Sequence, residues 1–136
     1  MEQRLNFVTL VVTDLDATRR FYLEGLGWEA AMDVPGEVVM IHVGDKVVLS
    51  LWAESEAAKE IGEVQRGGTP PFTLAHNCHD PAEVDAVLAL ARAAGATVQD
   101  AVKRDWGGYS GYFADPDGFR WEVAHNPFPV GEVTIP

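Results

Sequence analysis

Apolar and polar positions along the chain alternate between two periods, and the switches between them mark out the elements. Residues 5–13 (Leu-Asn-Phe-Val-Thr-Leu-Val-Val-Thr) are β-branched and apolar, the composition of a largely buried strand. Asp14 can then cap a helix whose Leu15, Thr18, Phe21 and Tyr22 fall on one face, and Gly25 and Gly27 supply the left-handed stop. Strands are predicted over 28–33, 38–43 and 47–52, with turns at Pro35-Gly36 and Gly44-Asp45.

The pattern then breaks and restarts. Residues 54–60 suit a short helical turn, and Gly67-Gly68 with Pro70-Pro71 suit a linker, so 54–71 separates two units. An apolar stretch over 72–78 leads to Asp80-Pro81-Ala82-Glu83. This is an N-cap, a proline at the first helical position and a capping-box glutamate. Val84, Val87, Leu88 and Ala91 form the buried stripe of that helix and Gly95 ends it. Strands near 97–102, 110–114 and 119–124 complete the unit. The order β-α-β-β-β thus occurs twice, with Asp14 matching Asp80 and Gly25 to Gly27 matching Gly95. The expected fold is α+β: one domain over 1–136 made of tandem βαβββ modules at 5–53 and 72–127 and a tail at 128–136. Curved mixed sheets would surround a shared cavity.

Composition changes this picture little. An apolar fraction of 47% is ordinary for a globular chain. Cys78 is the single cysteine, which excludes an intrachain disulfide and a cysteine-based zinc site. The formal charge of −11 opposes nucleic acid and anionic membrane as partners and mildly favours a cationic ligand. No run of spanning length and no signal-peptide pattern is present, so a cytoplasmic location is expected.

The candidate chemistry centres on residues 113–123. Asp115-Pro116-Asp117-Gly118 is strong hairpin chemistry, and beyond it Arg120, Glu122 and Ala124 share one face while Trp121 and Val123 share the other. Glu122 is either a functional carboxylate in a cleft or one more exposed acid. The inward faces would carry Phe7, Thr9 and Val11, Ser50 and Trp52, Thr73, Ala75 and Asn77, and Arg120 with Glu122. Trp106, Tyr109 and Tyr112 lie on a segment that could close over them. Aromatic side chains with a few converging polar groups suit a small-molecule site. Its rings would stack on a flat ligand or a cation, and Glu122 would anchor a donor or act as a general base. His42, His76, His79 and His125 read as structural or surface residues. His76 and His79 point to opposite faces of a regular strand. Cys78 reads as a small core residue rather than a nucleophile. Phosphate loops, nucleophile elbows and His-Glu-x-x-His pairs are absent from the sequence.

Two stretches resemble a known family. The first is Val8-Thr9-Leu10-Val11-Val12-Thr13-Asp14-Leu15-Asp16-Ala17 with Phe21-Tyr22 and Leu26-Gly27. The second is Gly107-Gly108-Tyr109-Ser110-Gly111-Tyr112-Phe113-Ala114-Asp115-Pro116-Asp117-Gly118 with Trp121-Glu122-Val123. Together they are similar to the vicinal oxygen chelate superfamily of glyoxalase I, bleomycin-resistance proteins and extradiol dioxygenases. The resemblance implies a homodimer and, in the metal enzymes, a divalent ion held by four inward residues. Those positions here are Phe7, Ser50, Thr73 and Glu122, of which only Glu122 is a competent ligand. No metal and no cofactor is therefore expected, unless ligands lie outside these positions. The expected function is sequestration of a small aromatic or cationic molecule, as in bleomycin resistance. The alternative is a lyase, isomerase or dioxygenase with relocated ligands, or metal-independent catalysis with Glu122 as base.

Overall fold

The first strand of each module becomes the parallel partner of that module's last strand, and the middle strands extend the sheet from there. In the computed structural model, which describes residues 1–135, the chain divides into two compact units, Met1–Gly67 and Gly68–Pro136. The first holds β1 (Phe7–Val12), α1 (Leu15–Arg19), β2 (Met32–Val34), β3 (Val38–Gly44), β4 (Val47–Ala53) and α2 (Glu54–Ile61). The second holds β5 (Leu74–Asn77), α3 (Pro81–Ala93), β6 (Thr97–Lys103), β7 (Tyr109–Ala114), β8 (Arg120–His125) and α4 (Pro129–Glu132). Each builds a four-stranded mixed sheet, in the orders β1-β4-β3-β2 and β5-β8-β7-β6. The βαβββ pattern occurs in both units.

In the first unit the register Leu10↔Leu51↔Val39 and Val8↔Leu49↔Ile41 aligns apolar side chains on one face. Most are fully buried, and Leu15, Phe21 and Tyr22 join them in the core. Asp14 caps α1 by accepting from the Ala17 amide at 2.8 Å, as the sequence predicts. The helix then widens. Residues Arg20–Gly25 form a π-helical turn instead of continuing α1, and Gly27, rather than Gly25, takes the left-handed conformation at φ 72°. The first middle strand is short, Met32–Val34 rather than 28–33. Trp28 instead turns inward on Tyr22, ring centroids 5.4 Å apart.

In the second unit α3 packs its Val84, Leu88 and Ala91 stripe on the sheet beside Val123, Phe113 and Trp121, all buried. The last two rings stack, 5.9 Å apart and 9° from parallel. Gly111 makes this approach feasible. A Cβ there would lie 2.6 Å from Leu88 Cδ1 and 2.7 Å from the Gln99 carbonyl, beside the β6 irregularity between Gln99 and Val102. Asp80 caps α3 through the Glu83 amide at 2.9 Å. The Glu83 carboxylate reaches one residue further back than a capping box requires and accepts from the His79 amide at 2.6 Å. The 115–118 turn forms with Asp115 accepting from the amides of Asp117 and Phe119, and Gly118 at φ 91°. The tail is ordered through Ile135. It forms α4 and is tied to β5 by a 2.6 Å bond from Asn77 Nδ2 to Thr134 Oγ1, while Pro136 lies outside the described residues.

Candidate functional site

Strand alternation and sheet register decide which polar side chains meet. Tyr112 on β7 stands directly opposite Glu122 on β8, and Ala75 stands opposite Glu122 on the other side. This row lies on the face away from α3, because the adjacent row of Gly111 and Val123 carries the helix contacts. The Tyr112 hydroxyl donates to Glu122 Oε1 at 3.0 Å. Glu122 Oε2 has no partner among the described residues. Burial pushes the Tyr112 phenol up from its ordinary value, and the hydrogen bond to Glu122 and its charge push it further, against the opposing charge of Arg104. Tyr112 is thus held as a neutral donor.

Arg104, at the end of the β6–β7 hairpin, completes the arrangement. Its guanidinium carbon sits 5.6 Å from the Tyr112 ring centroid, within cation–π range. The guanidinium is fixed by two 2.9 Å bonds, from Nε to Ser110 Oγ and from Nη2 to the Ser110 carbonyl. Ser110 is fully buried, so Arg104 satisfies a hydroxyl that water does not reach. A cation, a phenol and a carboxylate therefore follow one another across this sheet, with one carboxylate oxygen open to a ligand donor.

The other expected site residues divide by face. In the first unit Phe7, Thr9, Ser50 and Trp52 share the face away from the buried Leu10 and Leu51 row, with Thr9 directly opposite Ser50. Ser50 is buried, Thr9 is exposed, and Phe7 keeps 51% of its surface exposed. In the second unit Thr73 precedes β5 and is exposed. Tyr109 stands on the opposite face from Tyr112 and donates to Asp85 of α3 at 2.9 Å. Trp106 sits in the hairpin loop, 44% exposed, its indole laid over Gly108 where any Cβ would collide with the ring. Arg104 and Ser110 are absent from the sequence expectations. Their signal is the same parity rule that separates Tyr109 from Tyr112, since Ser110 and Tyr112 alternate on one strand.

The donor chemistry at the four implied ligand positions bears on the family metal. Phe7 offers no lone pair, Ser50 and Thr73 offer neutral hydroxyls, and Glu122 alone is anionic. Among the described residues no group of three or more His, Cys, Asp or Glu side chains is placed to hold an ion. The residues present do not fit the metal.

Comparison with known proteins settles the lineage. The model of the Glyoxalase/Bleomycin resistance protein/Dioxygenase superfamily matches residues 4–123. The chain belongs to this superfamily. Among solved structures it is similar to a glyoxalase-related enzyme from Fulvimarina pelagi, with 34% identity, a TM-score of 0.84, and 93% of this chain and 90% of that one covered. It is also similar to lactoylglutathione lyase from Agrobacterium tumefaciens, at 26% identity and TM-score 0.71, covering 92% and 95%. A glyoxalase/bleomycin resistance protein/dioxygenase from Nocardioides aligns at 25% identity and TM-score 0.74, covering 92% and 84%. No curated protein matches. Among the described residues no helix is long and apolar enough to cross a membrane.

Proposed function

We propose that this superfamily member is a metal-independent binding protein for a small aromatic or cationic molecule, anchored on Glu122. The observation that carries the reading is the orientation of that carboxylate. Tyr112 occupies Oε1 and leaves Oε2 without a partner among the described residues. A carboxylate held in this way gives a ligand ammonium or N–H a charge-assisted acceptor at little cost in side-chain ordering. The ring of Trp106, 44% exposed in the same unit, would supply stacking surface. The donor set at Phe7, Ser50, Thr73 and Glu122 argues in the same direction, since it lacks the imidazole and carboxylate ligands a transition ion requires.

The test is calorimetric titration with a panel of aromatic cations, on the protein and on Glu122→Gln. Saturable binding weakened about tenfold or more in the variant supports the reading. Binding indifferent to the substitution overturns it. The same oriented carboxylate would also serve as a base. Turnover of an α-hydroxycarbonyl substrate without added metal, abolished in Glu122→Gln, would favour that second reading. We further propose a cytoplasmic homodimer. Phe7 and Met32, about half exposed on the first sheet, offer apolar surface that a second copy would cover. Light scattering on the purified protein tests this.

A further inference from the structure

Outside the Glu122 face, the second unit carries an open pocket of about 410 Å³ lined by His79, His125, Asn126, Pro127, Glu132 and Ile135. It lies beyond the C-terminal ends of the parallel strands β5 and β8, where the chain continues into His79 and Asn126 respectively. Its outer wall is the tail, and the tail is pinned. Asn77 Nδ2 donates to Thr134 Oγ1 at 2.6 Å, and Thr134 Oγ1 donates to the Gly131 carbonyl at 2.7 Å. Gly131 is buried so closely on Asn126 that a Cβ would fall 2.5 to 2.9 Å from its atoms.

The polar groups facing this space include one anion, Glu132, and Asn126, whose Oδ1 accepts from the Phe128 amide at 3.0 Å and whose Nδ2 remains as a donor. His125 Nδ1 lies 3.3 Å from the Cys78 carbonyl. A carbonyl only accepts, so Nδ1 carries the proton, and in neutral imidazole Nε2 is left as a lone pair. Glu132 makes no ion pair with any described residue, and neither Lys nor Arg lines the cavity. Asp80 and Glu83 adjoin His79 through the α3 cap. Their negative field is felt beneath the site, where the Cys78 thiol is pushed up first by burial and then by Glu83 and Asp80. Pro127 and Ile135 add apolar wall. The histidines and Glu132 do not gather closely enough to hold an ion, so the occupant must span the cavity.

We infer that this cavity is a second binding site, for a small organic ammonium ion with an apolar body. Glu132 is its counter-ion and His125 Nε2 accepts one of its N–H groups. The site is separate from the Glu122 face and does not depend on the function proposed there.

Nuclear magnetic resonance titration tests it, following the His79 and His125 ring signals at about pH 8, where imidazole is ordinarily uncharged. The probe is benzylamine, with benzyl alcohol as its neutral isostere. Benzylamine should shift both rings saturably and the alcohol should not. Glu132→Gln, at an exposed position, should weaken binding about tenfold. Gly131→Val, which forces the tail off Asn126, should abolish the response while the Tyr112 and Glu122 signals stay in place. Glu122→Gln should leave the affinity unchanged, which keeps this outcome distinct from that of the first site. Equal response to the alcohol, shifts that never saturate, or full affinity in Glu132→Gln or Gly131→Val would each overturn the assignment.

Discussion

Tyr112 contributes one hydroxyl to the site, and its removal separates orientation from charge. In Tyr112→Phe the Glu122 carboxylate keeps its charge and loses the donor on Oε1. The stability cost should be about 1 kcal/mol, the usual net value of one hydrogen bond. Affinity for an aromatic cation should fall several-fold, yet less than in Glu122→Gln. An equal loss in the two variants would mean that the charge acts only through the phenol. Cys78 provides a pH signature. Burial raises its thiol from 9.0 to about 11, so the folded state keeps the proton after the unfolded chain has lost it. The associated stability, roughly 2–3 kcal/mol, is complete below the unfolded value and drains as pH climbs from 9.0 to about 11. Tyr109 and Tyr112 are raised as well and add losses above their ordinary range. Cys78→Ala should therefore show a shallower alkaline decline in chemical-denaturation midpoint than the parent, from a lower starting stability. Residue parity was legible: alternation alone places Glu122 and Trp121 on opposite faces. Applied to β7, the same rule separates Tyr112 from Tyr109. The partner of Glu122 needed the hairpin register, which depends on how many residues the 115–118 turn absorbs.

At the scale of elements, capping and glycine chemistry carried the reading furthest. Asp80-Pro81 located the start of α3 because both residues act locally, one through the Glu83 amide and the other through its fixed φ. Asp80→Ala should cost about 1 kcal/mol and Asp80→Ser much less, since serine still accepts from the amide. Equal urea midpoints for the two variants would show that the cap is dispensable. The π-helical turn at Arg20–Gly25 was not legible. Widening by one residue answers to the packing of Phe21, Tyr22 and Trp28, a tertiary demand without a local signature. The cavity behind the tail was hidden for a related reason. His79 and His125 lie 46 positions apart in sequence, and only the parallel pairing of β5 with β8 and the seat of Gly131 on Asn126 bring them to one space.

For the molecule as a whole, the duplicated βαβββ pattern and its two end motifs were enough to reach the superfamily, because they record topology and turn chemistry. The activity was not reachable in the same way, since chemistry rests on a few inward side chains that can change while the core stays. At the position preceding Val8, where the family resemblance implies a metal donor, this chain has the phenyl ring of Phe7. Of the four positions at which the family resemblance implies metal ligands, Phe7, Ser50, Thr73 and Glu122, only Glu122 is anionic, and one carboxylate leaves a hydrated ion with little reason to give up its water. The protein purified without chelators or a polyhistidine tag should therefore carry zinc, iron, nickel and manganese far below one ion per chain by elemental mass spectrometry. Glu122→Gln should carry the same. Near-stoichiometric metal that disappears in the variant would return Glu122 to a ligand role and require donors from outside the four positions. Metal that survives Glu122→Gln would place the ion elsewhere, and because imidazole is the side chain such ions favour, His79 and His125 would be the first residues to replace.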